Sequence, residues 1–379
     1  MKSVIVFPEE MKTYDGLKTK GKFTIEHNDI HTGLVEEPDL TLNDCPEKEN
    51  VVLVKKIAFS CNYRDKTILL NSDKFIKSEI LKGNLHFTYL GSDFVGEVVE
   101  IGENVKDFNI GDKVIPNISY PSYNEDYKGG IATNYASSRI ESFKANKLIK
   151  VPKDIDISDE ILAGFPIAGF TAYSMIRKVT KPDAKVLVTA ANSNTSITTI
   201  DALRNYPVKV YAMTSNPKHR DVLMRKGVED VLTINHDLET YEDDETFMQK
   251  MDEIGGFDAV IDPFFDIYLP RIIDYLNMDA KYITCGLYNQ YPDFDNGRYT
   301  YKGRPFSNIL TQALTRNISI MGNCIGLKED GVKALEDLIN GKFNIEIDSV
   351  FLEGEEDLFF DRTYNAKDRL GKVIYKYKD

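Results

Sequence analysis

Residues Leu90–Pro116 read LGSDFVGEVVEIGENVKDFNIGDKVIP, and two apolar runs within them, Gly96–Ile101 and Lys113–Pro116, have the composition of short β-strands. A third run of this kind, Val51–Ala58, precedes them. Gly, Pro and Asn residues interrupt the sequence between the runs, which favours turns over long helices. These patterns predict that the first 150 residues form an irregular, mostly β domain.

The pattern changes at Ser158, where apolar residues begin to recur at helical spacing. From there apolar strands alternate with amphipathic helices, which is typical of a doubly wound parallel sheet in an α/β protein. The six predicted strands are Lys185–Thr189, Lys209–Met213, Asp230–Ile234, Phe257–Ile261, Ala280–Cys285 and Ile318–Met321. After a predicted helix at Glu329–Asn340, two short strands, Ser349–Leu352 and Lys372–Tyr377, are expected to rejoin the N-terminal β domain.

The composition excludes several classes of protein. The 379 residues include 47 Lys or Arg and 60 Asp or Glu, so the net charge is −13, which disfavours a nucleic-acid partner. No run approaches the roughly 18 apolar residues of a membrane-spanning helix, and the apolar N-terminal stretch is too short for a secretory signal. The four cysteines, Cys45, Cys61, Cys285 and Cys324, form no C-x-x-C pair. We therefore expect reduced thiols in a cytoplasmic protein.

Several stretches of the chain resemble the medium-chain dehydrogenase/reductase superfamily. They are Leu90–Pro116, NYRD at Asn62–Asp65, GGIATNYA at Gly129–Ala136, AGFTAY at Ala168–Tyr173, FDAVIDP at Phe257–Pro263, and GKVIY near the end. The resemblance covers residues 50–379, and the first 50 residues match less well. It implies a GroES-like, mostly β catalytic domain (residues 1–157 and 325–379), a Rossmann-like nucleotide-binding domain (residues 158–324), and NAD(P)H held in the cleft between them.

The catalytic zinc ligands of the alcohol dehydrogenase branch are missing from this sequence. That branch has a Cys three residues before an Asp, a His in a Gly-His-Glu motif, and a Cys before the second domain. Here those positions carry Asn62, Ser92 and Ile167, none of which replaces a thiolate or an imidazole. Cys61 is one residue out of place, and Asn117–Lys128 contains no cysteine for a structural zinc lobe. The sequence therefore resembles the zinc-free quinone oxidoreductases and enoyl reductases more than the zinc-binding alcohol dehydrogenase branch.

The phosphate-binding turn of the family is rich in glycine, but this chain has Ala190-Ala191-Asn192-Ser193-Asn194-Thr195 after its first parallel strand. Small residues and Asn could still form the turn. In one interpretation Asn192, Ser193, Asn194 and Thr195 donate hydrogen bonds to the phosphates of a dinucleotide. In the other, the nucleotide site is lost and the loop is only a polar connection.

The end of the second parallel strand favours NADPH over NADH. An NAD enzyme places an acidic residue there for the ribose 2′-hydroxyl. This chain instead has Ser215 followed by Lys218 and Arg220, which offer a hydroxyl and two cations to a 2′-phosphate. Alternatively, both cations belong only to the solvated first turn of the next helix.

The resemblance places the loop with Asn62 and Tyr63 at the nicotinamide end of the cleft, so these two residues are the candidates for polarising a carbonyl or donating a proton. Tyr63 could equally be a packed aromatic residue. Arg64 and Asp65 are expected to hold the loop. By motif alone, Thr171, Gly286 and Tyr288 would lie near the cofactor. A metal site at His27 and His31 is disfavoured because their segment reads as a loop.

These observations predict a zinc-independent, NADPH-dependent reductase of an activated C=C bond in an enone, a quinone or an enoyl thioester. Alternatives are a relative with a degenerate cofactor loop that binds another ligand or catalyses a non-redox step, and a metal-free oxidoreductase acting on an alcohol or aldehyde. We expect the substrate to contact Tyr120–Lys128 and Tyr288–Pro305, whose aromatic residues suggest an apolar pocket or a lid. By resemblance, a homodimer would form through the strand Ile318–Met321.

Overall fold

The computed structural model describes residues 1–13, 15–83, 86–120, 130–289 and 302–378. They form two compact units, Met1–Ile167 with Ile347–Asp379, and Ala168–Glu346. The first unit is mostly β and the second contains a parallel sheet with helices, as the predicted fold class requires. The predicted substrate loops lie largely outside the described residues, including their aromatic residues Tyr123, Tyr127, Tyr291, Phe294, Tyr299 and Tyr301.

The strands and helices of the described residues are numbered in chain order. The strands are β1 (Lys2–Phe7), β2 (Leu17–Ile25), β3 (Asn28–Glu36), β4 (Val51–Ser60), β5 (Asp93–Ile101), β6 (Lys113–Pro116), β7 (Ile140–Lys144), β8 (Leu148–Lys150), β9 (Lys185–Val188), β10 (Lys209–Thr214), β11 (Asp230–Thr233), β12 (Phe257–Asp262), β13 (Leu276–Thr284), β14 (Ser319–Gly322), β15 (Ile347–Phe351) and β16 (Lys372–Lys376). The α-helices are α1 (Asp65–Leu81), α2 (Asp159–Val179), α3 (Asn194–Leu203), α4 (Arg220–Arg225), α5 (Glu245–Ile254), α6 (Phe265–Ile272), α7 (Phe306–Thr315), α8 (Lys328–Ile339) and α9 (Glu356–Asn365).

Two sheets build the first unit. One has the order β15-β16-β4-β5-β6-β8, with β7 also paired to β4, so the two strands near the chain end do rejoin the N-terminal part of the chain. The other is a three-stranded antiparallel sheet of order β1-β3-β2, formed by residues that match the family less well. Phe59 at the end of β4 packs edge-on against Phe359 of α9, with ring centroids 5.2 Å apart.

Two features of the first unit differ from the sequence-based expectations. Helix α1 was not predicted, because its buried face carries Leu69, Ser72 and Ile76 together with charged residues and gives little apolar periodicity. His31 lies inside strand β3 and His27 in the β2–β3 turn, so the prediction of a loop was wrong for His31. Ring stacking of His31 on Phe7, at 5.9 Å, explains its place in the sheet.

The second unit has a six-stranded parallel sheet of order β11-β10-β9-β12-β13-β14. The first strand in sequence is central, and the chain moves outward to each side in turn, which is the doubly wound order. The apolar residues of β9 and β12 are almost all buried, as expected for strands that helices cover on both faces.

Helix α8 belongs to the second unit, whereas the predicted domain boundary placed it in the catalytic domain. Three contacts hold it there. Gly331 lies against the ring of Phe170, where a Cβ atom would have no room. Arg177 forms two hydrogen bonds with Asp330, at 2.7 and 2.8 Å, and Tyr173 donates one to Asp337. Within the described ranges, no helix combines the length and the apolar character needed to cross a membrane.

Candidate functional site

The carboxyl ends of β9, β10, β12 and β13 lie at one edge of the second unit's sheet, because these strands are parallel and adjacent. Most of the residues predicted to bind a cofactor follow these strands directly. They are Asn192, Ser193, Asn194 and Thr195 after β9, Ser215, Lys218 and Arg220 after β10, and Gly286 and Tyr288 after β13. Thr171 lies elsewhere in this unit, buried within α2.

The turn after β9 forms without glycine. Ala190 adopts a left-handed backbone conformation with φ of 46°, which L-residues other than Asn and Asp rarely take. Ser193 caps α3, because its Oγ accepts a hydrogen bond of 3.3 Å from the backbone N–H of Ser196. The Ser196 hydroxyl then donates to the carbonyl of Thr189 at 2.7 Å. Side-chain hydrogen bonds thus stabilise this turn, for which the family resemblance predicts glycines.

Buried polar atoms lack hydrogen-bond partners at this turn. Asn194, the first residue of α3, is 8% exposed, and neither its amide nitrogen nor its amide oxygen has a partner among the described residues. The Oδ1 of Asn192 lacks one too, although its Nδ2 donates to Thr214 and to the carbonyl of Asn216. Leaving a buried polar atom unpaired costs about 1–3 kcal/mol, so these atoms indicate a ligand or water at the helix N-terminus.

The two cations after β10 have different surroundings. Lys218 is exposed, and its backbone N–H donates to Oδ1 of Asn216, which begins the short 3-10 turn Pro217–His219. Arg220 is exposed as well, but its guanidinium forms an ion pair with Asp230 and donates at 2.7 Å to the carbonyl of Val231. The structure therefore directs the Arg220 side chain toward β11.

Asp262, at the end of β12, is a buried carboxylate that the sequence analysis did not select. The hydroxyls of Thr189 and Tyr282 and the backbone N–H of Phe264 donate to it, with distances of 2.5 Å from Thr189 and 2.9 Å from Phe264. Burial raises the pKa of Asp262 to about 6, because no cation compensates the charge among these partners. The sequence feature that could have identified Asp262 is its position in the FDAVIDP motif.

The loop after β13 is held close to the end of β12. A Cβ atom on Gly286 would lie 2.8 Å from the carbonyl oxygen of Pro263, so only glycine fits there. The backbone N–H of Tyr288 donates to Asp266 at 2.7 Å, and its ring packs edge-on against Phe264. The Tyr288 side chain itself is largely exposed.

In the first unit, Asn62 and Ser92, which stand where the resemblance would place zinc ligands, form a hydrogen-bonded cluster with Asp93 around an ammonium group. Lys372 Nζ donates to Asn62 Oδ1 at 2.6 Å and to Asp93 Oδ2 at 3.0 Å, and it is almost fully buried. Asn62 Nδ2 donates to Asp93 at 2.8 Å and to Ser92 at 3.2 Å. The backbone N–H of Ile167 donates to Asp93 Oδ1. We call Asn62, Ser92, Asp93 and Lys372 the ammonium cluster.

The cluster does not have the donor set of a zinc site. Its side chains offer one carboxylate, an amide and a hydroxyl, and a cation already lies among them. Cys61 is buried next to it, and burial raises the pKa of its thiol well above the usual value, which opposes the thiolate that zinc requires. Across the described ranges, no three His, Cys, Asp or Glu residues are grouped so that they could hold a metal ion.

The loop from Asn62 to Asp65 is anchored by its acidic member. Asp65 is fully buried and accepts hydrogen bonds of 2.8 Å from both the backbone N–H of Asn62 and the guanidinium of Arg64. Tyr63 is half-buried between them in sequence, and Lys66 Nζ donates to its hydroxyl at 3.4 Å. Arg64 and Asp65 thus hold the loop, while the side chain of Tyr63 contacts Lys66.

Comparisons with known proteins agree with this architecture. A family model of the alcohol dehydrogenase GroES-like domain matches residues 48–152. An acryloyl-coenzyme A reductase of Sulfurisphaera tokodaii is 25% identical over 357 residues, covering 87% of this chain and 93% of the relative. A 2-haloacrylate reductase of a Burkholderia species is 26% identical over 192 residues, covering 49% of this chain and 51% of the relative. A solved crotonyl-CoA carboxylase/reductase in complex with NADP has a TM-score of 0.72 at 15% identity, covering 99% of this chain and 95% of that chain.

Proposed function

We propose that this chain, which belongs to the medium-chain dehydrogenase/reductase superfamily, is a zinc-independent, NADPH-dependent oxidoreductase that reduces an activated C=C bond. The observation that carries the proposal is the turn after β9, where buried amide atoms of Asn192 and Asn194 lack partners at the N-terminus of α3. Relatives named as reductases of acryloyl-coenzyme A and of 2-haloacrylate support the choice of substrate bond.

The dinucleotide would be held at the carboxyl edge of the parallel sheet. The side-chain amide of Asn194 and the N-terminus of α3 fit the pyrophosphate, because both present hydrogen-bond donors to an anion. Ser215 and Lys218 would contact the 2′-phosphate of NADPH. Arg220 is directed to Asp230 and would contribute less. Gly286 would allow close approach of the loop that follows β13.

The chemistry that the chain itself must supply is stabilisation of negative charge on the substrate. When bound, the cofactor supplies a hydride to one carbon of the C=C bond, and the other carbon takes up a proton. Negative charge develops on the carbonyl oxygen conjugated to that bond after the hydride arrives and before the proton is taken up, so a hydrogen-bond donor is needed there. All amide atoms of Asn62 are engaged in the ammonium cluster, so we assign the donor role to the Tyr63 hydroxyl.

Zinc is not required in this scheme. The ammonium of Lys372 lies in the cluster formed at the positions that bind the metal in the alcohol dehydrogenase branch, and it compensates the buried charge of Asp93. The substrate is therefore expected to be a small enone, quinone or enoyl thioester whose C=C bond is already activated by conjugation. Metal analysis of the purified protein is expected to find far less than one zinc per chain.

Cofactor binding can be tested by equilibrium titration with NADPH and, in parallel, NADH, following the fluorescence of the reduced nicotinamide. We expect tighter binding of NADPH and a loss of that preference in Lys218→Glu. Lys209→Glu is the matched control, because Lys209 is an exposed lysine at the opposite end of the same strand, β10. Absence of binding by either nucleotide would contradict the proposal and favour a relative that has lost its cofactor.

The substrate class is tested by product analysis. The protein is incubated with NADPH and, separately, acryloyl-coenzyme A, a simple enone, a quinone and an aldehyde. We expect oxidation of NADPH with saturation of the C=C bond in at least one of the first three. Reduction of the aldehyde alone would contradict reduction of a C=C bond and favour metal-free carbonyl chemistry.

We further propose a homodimer formed through the edge strand β14. Three residues of the neighbouring helix α7, Phe306, Leu310 and Leu314, lie one turn apart and are 73%, 45% and 79% exposed, and Ile320 of β14 is exposed too. Exposed apolar residues in a row on one helix indicate a face that another molecule covers. Light scattering is expected to report a dimer for the native chain and a monomer for Leu314→Glu with Ile320→Lys. A native monomer would contradict the dimer alone.

A cytoplasmic location completes the proposal. Cys45, Cys61, Cys285 and Cys324 form no disulfide in the structure, in keeping with a reducing compartment.

A further inference from the structure

Tyr63 is connected to the N-terminal sheet through a buried lysine. Lys66, at the start of α1, has a side chain that is 8% exposed, and its ammonium lies 3.4 Å from the Tyr63 hydroxyl and 5.3 Å from the centre of the Tyr63 ring. The same ammonium forms an ion pair with Glu26. Glu26, Lys66 and Tyr63 therefore form a continuous chain of polar contacts, which we call the Glu26–Lys66–Tyr63 relay.

The backbone at Glu26 is strained. Strands β2 and β3 are joined by a two-residue turn, because Ile25 pairs with Asn28. Glu26 and His27 both have positive φ, 47° and 68°, the geometry of a hairpin turn that normally selects Asn and Gly. A residue with a long side chain at such a position costs stability and indicates a function for that side chain. Here that side chain is the carboxylate that holds Lys66.

Hydrogen-bond chemistry defines what Lys66 can do for Tyr63. An ammonium only donates, so its bond to the phenol uses an oxygen lone pair and does not consume the phenolic proton. A cation at the oxygen also makes the O–H a stronger donor, because it stabilises the negative charge that grows on the phenol oxygen as its proton is shared. Three further charged residues, Arg369 and the Arg64–Asp65 pair, lie in or near this loop.

We propose that Lys66 and Glu26 are positioning residues for Tyr63: Glu26 fixes the Lys66 ammonium, and the ammonium orients and polarises the Tyr63 hydroxyl toward the oxygen of the substrate. This inference rests on the donor role of Tyr63 proposed above. It also assigns a function to the three-stranded N-terminal sheet, whose β2–β3 turn carries the carboxylate. The turn of this sheet would then help to position the Tyr63 hydroxyl, although these residues match the family less well than the rest of the chain.

A double-mutant cycle on the full-length protein tests the relay. The variants are Tyr63→Phe, Lys66→Met, Lys66→Arg, Glu26→Gln and the pair Tyr63→Phe with Lys66→Met, assayed for NADPH-dependent reduction of the best substrate. We expect kcat to fall about a hundredfold in Tyr63→Phe, as for loss of one hydrogen-bond donor to a developing oxyanion. Lys66→Met is expected to lower kcat about tenfold, with little change in the KM for NADPH. Lys66→Arg should restore part of that loss, and Glu26→Gln should lower kcat less than Lys66→Met.

The decisive comparison is the effect of Lys66→Met in the two backgrounds. If Lys66 acts through the Tyr63 hydroxyl, its removal changes kcat less than about twofold once Tyr63 is Phe. Equal losses in both backgrounds would overturn the relay and leave Lys66 with a structural role. Lys22→Met is the matched control, because it removes an exposed ion pair with Asp29 from the same hairpin and should not change kcat.

A protein without reductase activity would contradict the proposed function, and the relay can then be read without turnover. Fluorotyrosine-labelled protein gives a fluorine NMR signal for Tyr63, identified by its absence in Tyr63→Phe. We expect Lys66→Met to shift that signal and Lys22→Met to leave it in place. No shift in Lys66→Met would overturn the relay independently of the reaction.

Discussion

Two regions of the molecule depart from the family pattern that the sequence resembles, and they depart from it in opposite ways. At the turn after β9 the glycines are replaced by polar residues, and buried amide atoms of Asn192 and Asn194 lack partners. In the ammonium cluster, Asn62 and Ser92 stand where the resemblance would place zinc ligands. Lys372 donates hydrogen bonds to Asn62 and Asp93, so the polar atoms are paired within the chain itself. Unpaired buried groups keep hydrogen-bonding capacity for a ligand or water, whereas a site with every group paired offers none.

Removal of the ammonium gives the largest expected effect. Lys372→Met leaves Asp93 buried without its cation, which is expected to lower the free energy of unfolding by about 3–5 kcal/mol. Urea denaturation measures the change. Adding Asp93→Asn should recover part of the loss, because the uncompensated charge is then removed. Lys12→Met, which breaks only the exposed pair with Glu9, is the control. If Lys372→Met lowers the free energy of unfolding no more than this control does, the pairing of Lys372 with Asp93 does not stabilise the cluster.

Truncation at the other region should act on binding rather than on folding. Asn194→Ala removes amide atoms that have no partner in the ligand-free chain, so the free energy of unfolding should stay the same or rise. Affinity for NADPH should fall about tenfold, the usual effect of losing one hydrogen bond to a charged group. Asn205→Ala is the control for loss of a paired amide, because the Asn205 amide donates to the carbonyls of Ala202 and Lys342. It should lower the free energy of unfolding and leave the affinity for NADPH unchanged. Unchanged affinity together with lowered stability would show that Asn194 serves the fold alone.

The sequence predicted the two regions to different extents. The turn after β9 was identified because a parallel strand has a near-continuous apolar run, and the strand predicted at Phe257–Ile261 agrees within one residue with β12. The ammonium cluster was identified only by the ligands it lacks. Lys372 and Asn62 are 310 positions apart, so no local pattern could pair them. The relay was missed because Glu26 and Lys66 are 40 positions apart and Glu26 lies in the segment that matches the family less well.

A second buried carboxylate, Asp262, sharpens the contrast between a charge that is paired with a cation and one that is not. Asp93 is compensated by an ammonium, but Thr189, Tyr282 and Phe264, which donate hydrogen bonds to Asp262, are neutral, and burial raises the pKa of Asp262 to about 6. The native state therefore holds this proton more tightly than the unfolded chain, in which the pKa is near 3.8. Stability from this group is present at low pH and is lost as pH rises toward 6.

The measurement is the difference in unfolding free energy between the native chain and Asp262→Asn at pH 5 and at pH 7. We expect the native chain to lose roughly 1 kcal/mol relative to the variant between the two values. A difference that does not depend on pH would show that Asp262 keeps its charge throughout this range.

The smallest effect should separate the two cations of the cofactor site. Arg220 already pairs with Asp230 and the carbonyl of Val231, so its guanidinium would have to leave them to reach a 2′-phosphate. Arg220→Gln should therefore change the ratio of NADPH to NADH affinity by less than about twofold, while the free energy of unfolding falls by about 0.2–1 kcal/mol, as for an exposed pair. Lys218→Gln should lower the same ratio severalfold, because it removes an exposed ammonium that would attract the 2′-phosphate. If Arg220→Gln instead lowers the ratio more than Lys218→Gln does, the Asp230 pair opens on binding, and Arg220 is the residue that selects the phosphate.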